Sequence, residues 1–154
     1  METAKQYCTF WLEDLFFGVR VDKVKEVMRY QDMTYVPHAP REIVGLINLR
    51  GDIVTAIDMR RRLWLKEYTG EKRQKNVIIR DPGGALSLIV DEIGDVVETE
   101  DRFFESPPMT MDSKVRDIVV GVYKMKTNLL LILNVEKLIY LDKNDHLANS
   151  LTRQ

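Results

Sequence analysis

The segment GLINLRGDIVTAIDMRRRL, residues 45–63, carries the clearest structural signal in the chain. Two apolar runs, GLI and IVTAI, flank Arg50, Gly51 and Asp52. A glycine between such runs predicts a tight hairpin turn, because glycine adopts a positive φ without steric cost. The turn itself does not require an arginine, so the charged side chain at its tip raises a question of function. Asp58, after the second run, is a good N-cap for a short helix.

The same pattern occurs again later in the chain. The segment GVYKMKTNLLLILNVEKLI, residues 121–139, aligns with residues 45–63 at an offset of 76, which places Gly45 on Gly121. Asn134 then occupies the N-cap position of a second short helix. The sequence therefore contains two similar Gly-led hairpins, each followed by a helix.

An earlier pair of segments repeats as well. FFGVRVDKVKEVM at 16–28 aligns with ALSLIVDEIGDVV at 85–97 at an offset of 69, with Val21 on Val90. Each segment ends a predicted hairpin, and DPGG between NVIIR and ALSLIV has strong turn chemistry. Short strands with turn signals every 8 to 12 residues are typical of small barrels or sandwiches. We predict an all-β chain with short helices, built as two pseudo-repeated β-barrels.

The length of 154 residues fits one compact domain made of these halves. The first barrel is predicted at 7–65 and the second at 76–141, and exchange of strands between them stays open. A charged linker, KEYTGEKRQKN, separates the halves. The second half ends in a C-terminal helix, and residues 142–154 form a polar tail.

Composition and charge exclude several classes of function. The net charge is −1, from 23 basic and 24 acidic residues, so no global field attracts nucleic acid or an acidic membrane. The single cysteine, Cys8, cannot form an internal disulfide, which favours a reducing compartment. Glu13 and Asp14 interrupt the apolar N-terminal segment, and the apolar segment 128–141 is shorter than a membrane helix. We predict a cytoplasmic protein without direct membrane insertion.

Few residues carry catalytic or ligand-binding signals. His38 lies in a Pro-x-x-Pro loop and His146 in the polar tail, and neither has neighbours at triad or metal-ligand spacing. Asp91, Glu92 and Asp95 alternate with apolar residues and are predicted to form a solvated face. We therefore predict no catalytic residue, no metal and no cofactor. An enzyme that uses paired carboxylates remains a less favoured alternative.

The arginines divide into two groups. Arg60, Arg61 and Arg62 fan over about 200° of a helix at 100° per residue, which predicts a solvated helix surface. Arg50 differs, because an arginine on a rigid hairpin presents a planar fork to carboxylates and carbonyls of a partner. In the alternative interpretation, Arg50 bonds only carbonyls of its own barrel. The crevice between two barrels is a favoured binding place.

Together these motifs resemble the CheW-type adaptors of bacterial chemotaxis. The most specific stretch is VDKVKEV, followed by a Pro-x-x-Pro segment, then GLINLRGDIV and IDMRRRL. The second half adds LIVDEIGDVV and LLLILNVEKLI, so the resemblance extends from Tyr7 to about Leu141. Two positions depart from the family pattern: Thr55 stands where relatives often have proline, and Trp64 where they usually have glycine.

The resemblance implies two packed five-stranded SH3-like barrels and no catalysis. It also implies two partners: the helical-hairpin tip of methyl-accepting chemoreceptors and the regulatory domain of the histidine kinase CheA, bridged in a signalling array at the membrane. The second barrel is the expected kinase-binding half. A same-fold scaffold for another receptor–kinase pathway, such as surface motility, is the alternative. The implied receptor-contact positions are Val24, Glu26, Val27, Gly45 and Arg50.

Overall fold

The computed structural model describes residues 4–138. Within them the chain is mainly strand, with short helices and 3-10 turns at Val21–Lys23 and Asp101–Phe103. The strands are β1 (Ala4–Leu12), β2 (Leu15–Arg20), β3 (Val24–Arg29), β4 (Ile43–Leu49), β5 (Asp52–Asp58), β6 (Lys75–Asp81), β7 (Gly84–Val90), β8 (Glu92–Ile93), β9 (Val97–Glu100), β10 (Val119–Lys124) and β11 (Leu129–Leu133). The short helices are α1 (Met59–Arg62) and α2 (Ser113–Arg116).

The strands form two sheets. One sheet has six strands in the order β10-β11-β2-β1-β8, with β9 also paired to β1. The other has five strands in the order β3-β6-β7-β5-β4. Thr55, at the first departure from the family pattern, pairs with residues of both β4 and β7, so the strand is continuous there. The predicted all-β fold class is confirmed.

The internal repeat also appears in the strand registers. Thr55 of β5 lies opposite Leu86 of β7 in parallel pairing, and Leu131 of β11 lies opposite Phe17 of β2 in parallel pairing. Thr55 and Leu131 are 76 positions apart, and Phe17 and Leu86 are 69 positions apart, the two offsets found by alignment. Equivalent residues therefore meet equivalent partners, and the predicted pseudo-repeat is confirmed.

Each sheet combines strands from both repeats. The hairpin β1–β2 joins β8 to β11, and the hairpin β6–β7 joins β3 to β5. Neither repeat can complete a sheet without the leading hairpin of the other. The boundaries 7–65 and 76–141 therefore stay a prediction about the repeat, and each sheet draws on both segments.

The alternation of side chains along the central strands divides the core into three clusters. The largest cluster contains residues of both sheets, including Leu88 and Val90 of β7 and Leu131 of β11. Adjacent residues on these strands point to the opposite face of their sheet. Ile89 belongs to a small cluster of the five-stranded sheet, and Leu130 belongs to a small cluster of the six-stranded sheet. These strands are apolar on both faces because each face covers a different cluster.

Both predicted N-caps are confirmed. The Asp58 carboxylate accepts hydrogen bonds from the backbone N–H groups of Arg60 and Arg61 at 2.9 and 3.3 Å. The Asn134 side chain accepts one from the N–H of Lys137 at 3.0 Å, and residues 135–138 are helical. The predicted C-terminal helix therefore begins here, and the predicted polar tail, 142–154, lies outside the described residues.

Candidate functional site

The hairpin turn between β4 and β5 has positive φ at both central residues. Gly51 has φ of 92°, as its residue type predicts, but Arg50 also has φ of 52°. This pair of values is typical of the two-residue turn that favours Asn-Gly and Asp-Gly. The turn is supported by the N–H of Gly51, which donates to Asn48 Oδ1 at 3.0 Å. An arginine at the first position costs on the order of 1 kcal/mol in backbone strain.

The Arg50 side chain reaches across the sheet to Glu26. Arg50 Nη2 lies 2.6 Å from Glu26 Oε1. Glu26 lies on β3 and Arg50 at the end of β4, and these are the two edge strands of the five-stranded sheet. The ion pair therefore connects the edges of the sheet. The Arg50 side chain remains 67% exposed, so the pair contributes at most about 1 kcal/mol to stability.

Strand β3 places its predicted contact residues on opposite faces. The register of β3 against β6 shifts between Val24 and Glu26. Val24 pairs with Ile79 and Val27 with Val77, and both partners belong to the shared core. Val24 and Val27 therefore lie on the face toward that core, Val24 half-buried and Val27 45% exposed. Glu26 lies on the other face, toward Arg50.

Gly45 is buried and faces the backbone of a neighbouring segment. A Cβ atom at this position would lie 2.6 Å from the carbonyl oxygen of Thr34. Thr34 and Leu46 exchange two backbone hydrogen bonds of 2.8 Å, which hold the segment against β4. A substitution at Gly45 would therefore displace this covering segment. The receptor-contact roles of the five residues stay predictions, and the structure pairs two of them directly.

The prediction of a solvated arginine run is wrong for Arg60 and Arg62, which are buried. Arg60 Nε and Nη2 donate to the two carboxylate oxygens of Asp91 at 2.9 and 2.6 Å. Arg60 Nη1 donates to Glu13 Oε1 at 3.1 Å and to the carbonyl oxygen of Lys66 at 2.9 Å. Helix α1 has four residues only, and one face of it packs inward. We call Arg60, Asp91 and Glu13 the inter-repeat clasp.

The predicted solvated face at Asp91 is also wrong, because the Asp91 side chain is only 11% exposed. Burial by itself raises the pKa of this carboxyl. The hydrogen bonds from Arg60, from the Glu13 N–H and from Gln74, with the charge of Arg60, outweigh burial and hold the pKa of Asp91 below its ordinary value. Asp91 thus stays ionised and is committed to the clasp, which removes one carboxylate from the proposed enzyme pair. Residues 4–138 contain no cluster placed to hold a metal ion.

Trp64 adopts a left-handed backbone conformation of the kind that glycine usually supplies at a helix end. Its φ is 59°, and its N–H donates to the carbonyl oxygen of Arg61 at 3.2 Å. The N–H of Leu65 donates to the carbonyl oxygen of Arg60 at 2.8 Å, which completes a helix end of the type usually closed by glycine. The helix end therefore closes normally although tryptophan stands at this position. The Trp64 side chain is 60% exposed, and Arg41 and Lys114 lie against its ring.

Two cavities lie away from the predicted contact residues. A cavity of about 400 Å³ is lined by residues of β1, β2, β10 and β11, including Tyr7, Arg20 and Tyr123. A second cavity, of about 440 Å³, lies beside Trp64 and Met111. Each cavity wall includes two acidic residues, of which Asp101 pairs with Lys5 in the first and Asp112 caps α2 in the second.

Comparison with known proteins identifies the family. Residues 6–143 match the family model described as a CheW-like domain. The chain is 30% identical over 148 residues to the chemotaxis protein CheW of Treponema pallidum, covering 94% of this chain and 87% of that protein. It is 28% identical to CheW of Bacillus subtilis, covering 90% of this chain and 89% of that protein. It also resembles the solved scaffolding protein TtCheW from Thermoanaerobacter tengcongensis, at a TM-score of 0.78 and 28% identity, covering 88% and 92% of the two chains.

The fold and these matches define a two-barrel, non-catalytic adaptor of chemotaxis. The chain belongs to the CheW family, whose members couple chemoreceptors to the histidine kinase CheA. The chemotaxis role predicted from the sequence is thus confirmed, and the alternatives of an enzyme and of a scaffold for another pathway are not favoured. Among residues 4–138, no helix has the length and apolar content that crossing a membrane requires.

Proposed function

We propose that this adaptor binds the helical-hairpin tip of a chemoreceptor on the surface around β3 and the β4–β5 turn. Because β3 is an edge strand, parts of both its faces border this surface. The half-buried Val24 and the 45% exposed Val27 form its apolar side, and Glu26 with Arg50 forms its polar side. Gly45 does not reach this surface itself. It allows the segment at Thr34 to pack closely over β4, and that segment borders the surface. An amphipathic helix fits such a surface, because it presents an apolar stripe with polar flanks.

The conformation of Arg50 is the observation that carries the proposal. Asparagine or glycine would fit a φ of 52° better, and the ion pair with Glu26 returns at most about 1 kcal/mol. The fold therefore gains little from an arginine at this position. A strained residue with an exposed guanidinium is typical of a binding position. The contact with Glu26 orients the side chain before a partner arrives, which lowers the entropic cost of binding.

Arg50→Asn is expected to weaken receptor-tip binding at least about tenfold while folding is preserved. Asparagine relieves the backbone strain and loses only an exposed ion pair, so we expect Tm to change by no more than about 2 °C. The measurement is a titration of a purified receptor-tip fragment, with circular dichroism melting of each variant. Unchanged affinity in Arg50→Asn would contradict the proposed contact.

A charge exchange separates the contact from a structural role. Arg50→Glu alone places two carboxylates together, whereas Arg50→Glu combined with Glu26→Arg rebuilds the pair in the opposite direction. We expect both proteins to fold and neither to bind the receptor tip, because the guanidinium is displaced from the turn. Recovery of binding in the double variant would show that only the pair, and not the position of its arginine, matters.

We propose that the CheA regulatory domain binds a different face, on the second half of the chain. Exposed apolar side chains support this choice, since Phe103, Met109 and Val120 are each more than half exposed. All three lie within residues 103–120, and an apolar patch formed there would be typical of an interface. Two separate faces allow one adaptor to hold kinase and receptor together in the cytoplasm, recruited to arrays at the membrane.

Val120→Asp is expected to weaken binding of the CheA regulatory domain about tenfold or more, because a carboxylate would be desolvated in an apolar contact. Receptor-tip binding should remain within about twofold of the unsubstituted protein, since the two faces are separate. Pull-down of each purified partner measures both effects. Unchanged binding of the CheA domain would contradict the assignment, and equal loss of both partners with a lowered Tm would indicate a folding defect.

A further inference from the structure

Trp64 combines two unfavourable features that the fold does not require. Its φ of 59° costs on the order of 1 kcal/mol for a residue with a bulky side chain. The residue is 60% exposed, so much of its apolar surface gains nothing from burial. Glycine would complete the same helix end without either cost. The indole is therefore retained at a position where it can meet another molecule.

The surroundings of the ring are cationic. The guanidinium of Arg41 lies 4.1 Å from the ring centroid of Trp64, and Lys114 Nζ lies 4.9 Å from it. Arg61 adds a third cation, because Arg41 and Arg61 bond each other's backbone carbonyls at 3.4 and 3.2 Å. We call Trp64, Arg41, Arg61 and Lys114 the Trp64 patch. Cations held on an indole remain available for carboxylates, since the ring uses none of their hydrogen-bond donors.

Two carboxylates at the neighbouring helix starts are already engaged. Asp58 accepts two backbone N–H groups at the start of α1 and lies 3.7 Å from Arg61. Asp112 accepts the N–H of Lys114 at 2.9 Å at the start of α2. Neither pairs with Arg41 or with the ammonium group of Lys114 within 4.0 Å among the described ion pairs. The exposed side of the patch is therefore complementary to negative charge.

The patch borders a recessed apolar site. The cavity of about 440 Å³ includes Trp64 and Lys114 in its wall, and large apolar side chains line most of the rest: Leu15, Phe16, Leu63, Leu65, Met111 and Leu129. A cavity of this size admits one or two apolar side chains. A lipid surface would instead require apolar side chains that project outward, and here most of them are recessed.

We propose that the Trp64 patch and its cavity bind an acidic peptide segment of a partner protein. An apolar side chain of the segment enters the cavity, and carboxylates on either side of it bind Arg41 and Lys114. Asp14 and Asp112 line the cavity and disfavour a carboxylate in its interior, so only the flanks of the segment are acidic. This site is distinct from the proposed receptor surface, because the cavity wall includes none of the five receptor-contact residues.

Labelled synthetic peptides test the proposal by fluorescence anisotropy with the full chain. The acidic probe has the sequence EDELFEDE, and its neutral and basic counterparts are QNQLFQNQ and KKKLFKKK. We expect the acidic peptide to bind at least about tenfold more tightly than either counterpart, with an affinity that falls as salt is added. Equal binding of the three peptides would overturn the proposal.

Three variants locate the site on the protein. Trp64→Gly suits the backbone conformation and should fold normally, so its loss of binding reports the ring alone. Arg41→Glu and Lys114→Glu should each weaken the acidic peptide about tenfold, whereas the matched control Arg80→Glu changes an exposed cation on β6 and should not. Wild-type affinity in Trp64→Gly would overturn the assignment. So would binding to phosphatidylserine vesicles with no preference among the peptides, because that result would identify a lipid surface.

Discussion

Replacing Asp91 by asparagine is expected to lower the free energy of unfolding by about 3 kcal/mol, the usual cost of leaving one member of a buried ion pair without its partner. The Arg60 side chain is 10% exposed and would keep its charge, because the pKa of an arginine lies far above neutrality. For a chain of this length, Tm should fall by roughly 10 °C. Thermal and urea unfolding followed by circular dichroism measure the effect.

The effect of Asp91→Asn should depend on pH in one direction. The pKa of Asp91 is lower in the folded chain than in the unfolded chain, where it is about 3.9. Its carboxylate therefore contributes its full stability above the unfolded value, and this contribution is lost as the pH falls through the folded value. The difference in unfolding free energy between the two proteins should be constant from about pH 6 to 8 and should decrease below about pH 4.

Two further variants test the clasp against simpler explanations. Arg61→Ala removes a neighbouring, more exposed arginine and should cost no more than about 0.5 kcal/mol. Arg60→Met combined with Asp91→Leu removes both charges, and we expect this protein to be more stable than either single variant. Additive losses in the double variant would contradict the buried-pair explanation.

Gly45→Ala is expected to cost about 2 kcal/mol, because the new methyl group would meet backbone that cannot move independently. Its Cβ would lie 2.6 Å from the carbonyl oxygen of Thr34, which is held in two hydrogen bonds with Leu46. The clash with the Thr34 carbonyl can be relieved only if the segment at Thr34 moves away from β4. Tm should fall by about 5 °C, and receptor-tip binding should weaken at the same time, since the segment supports the proposed surface.

Gly121→Ala is the matched control, because the internal repeat places Gly121 on Gly45. Both glycines follow a register shift in the first strand of their hairpin. At Gly121 the obstacle is the ring of Phe104, a side chain that is 39% exposed and can rotate into solvent. We expect its cost to be at least about 1 kcal/mol smaller than that of Gly45→Ala. Equal costs would show that the backbone contact at Thr34 is not the cause.

Features that depend on local chemistry and periodicity were predictable from the sequence. The turn at Gly51 and the N-caps at Asp58 and Asn134 follow from residue types that satisfy local backbone requirements. The pseudo-repeat could be recognised because equivalent positions in two similar barrels have similar surroundings and therefore similar residue types. Family motifs added the adaptor role and the proposed receptor-contact residues.

Features that depend on contacts between distant segments were not predictable. The run of three arginines has the composition of a solvated helix, yet Arg60 is buried because Asp91 and Glu13 meet it from two other parts of the chain. Arg50 and Glu26 are 24 positions apart, and only the closing of the sheet edges brings them together. The left-handed conformation of Trp64 could not be predicted either, because tryptophan is not a residue type that indicates a turn.

The strand class, the repeated order of hairpins and helices, and the family could all be recognised from the sequence. Each follows from segments of up to about twenty residues that can be compared along the chain without knowing their contacts. The pairing of charges, the burial of particular arginines and the completion of each sheet by a hairpin from the other repeat depend on the three-dimensional arrangement. The physical reason is that burial and ion pairing depend on the whole set of atoms that surround a side chain. Those atoms come from segments that are distant in the sequence, and no local sequence pattern shows that these segments are in contact.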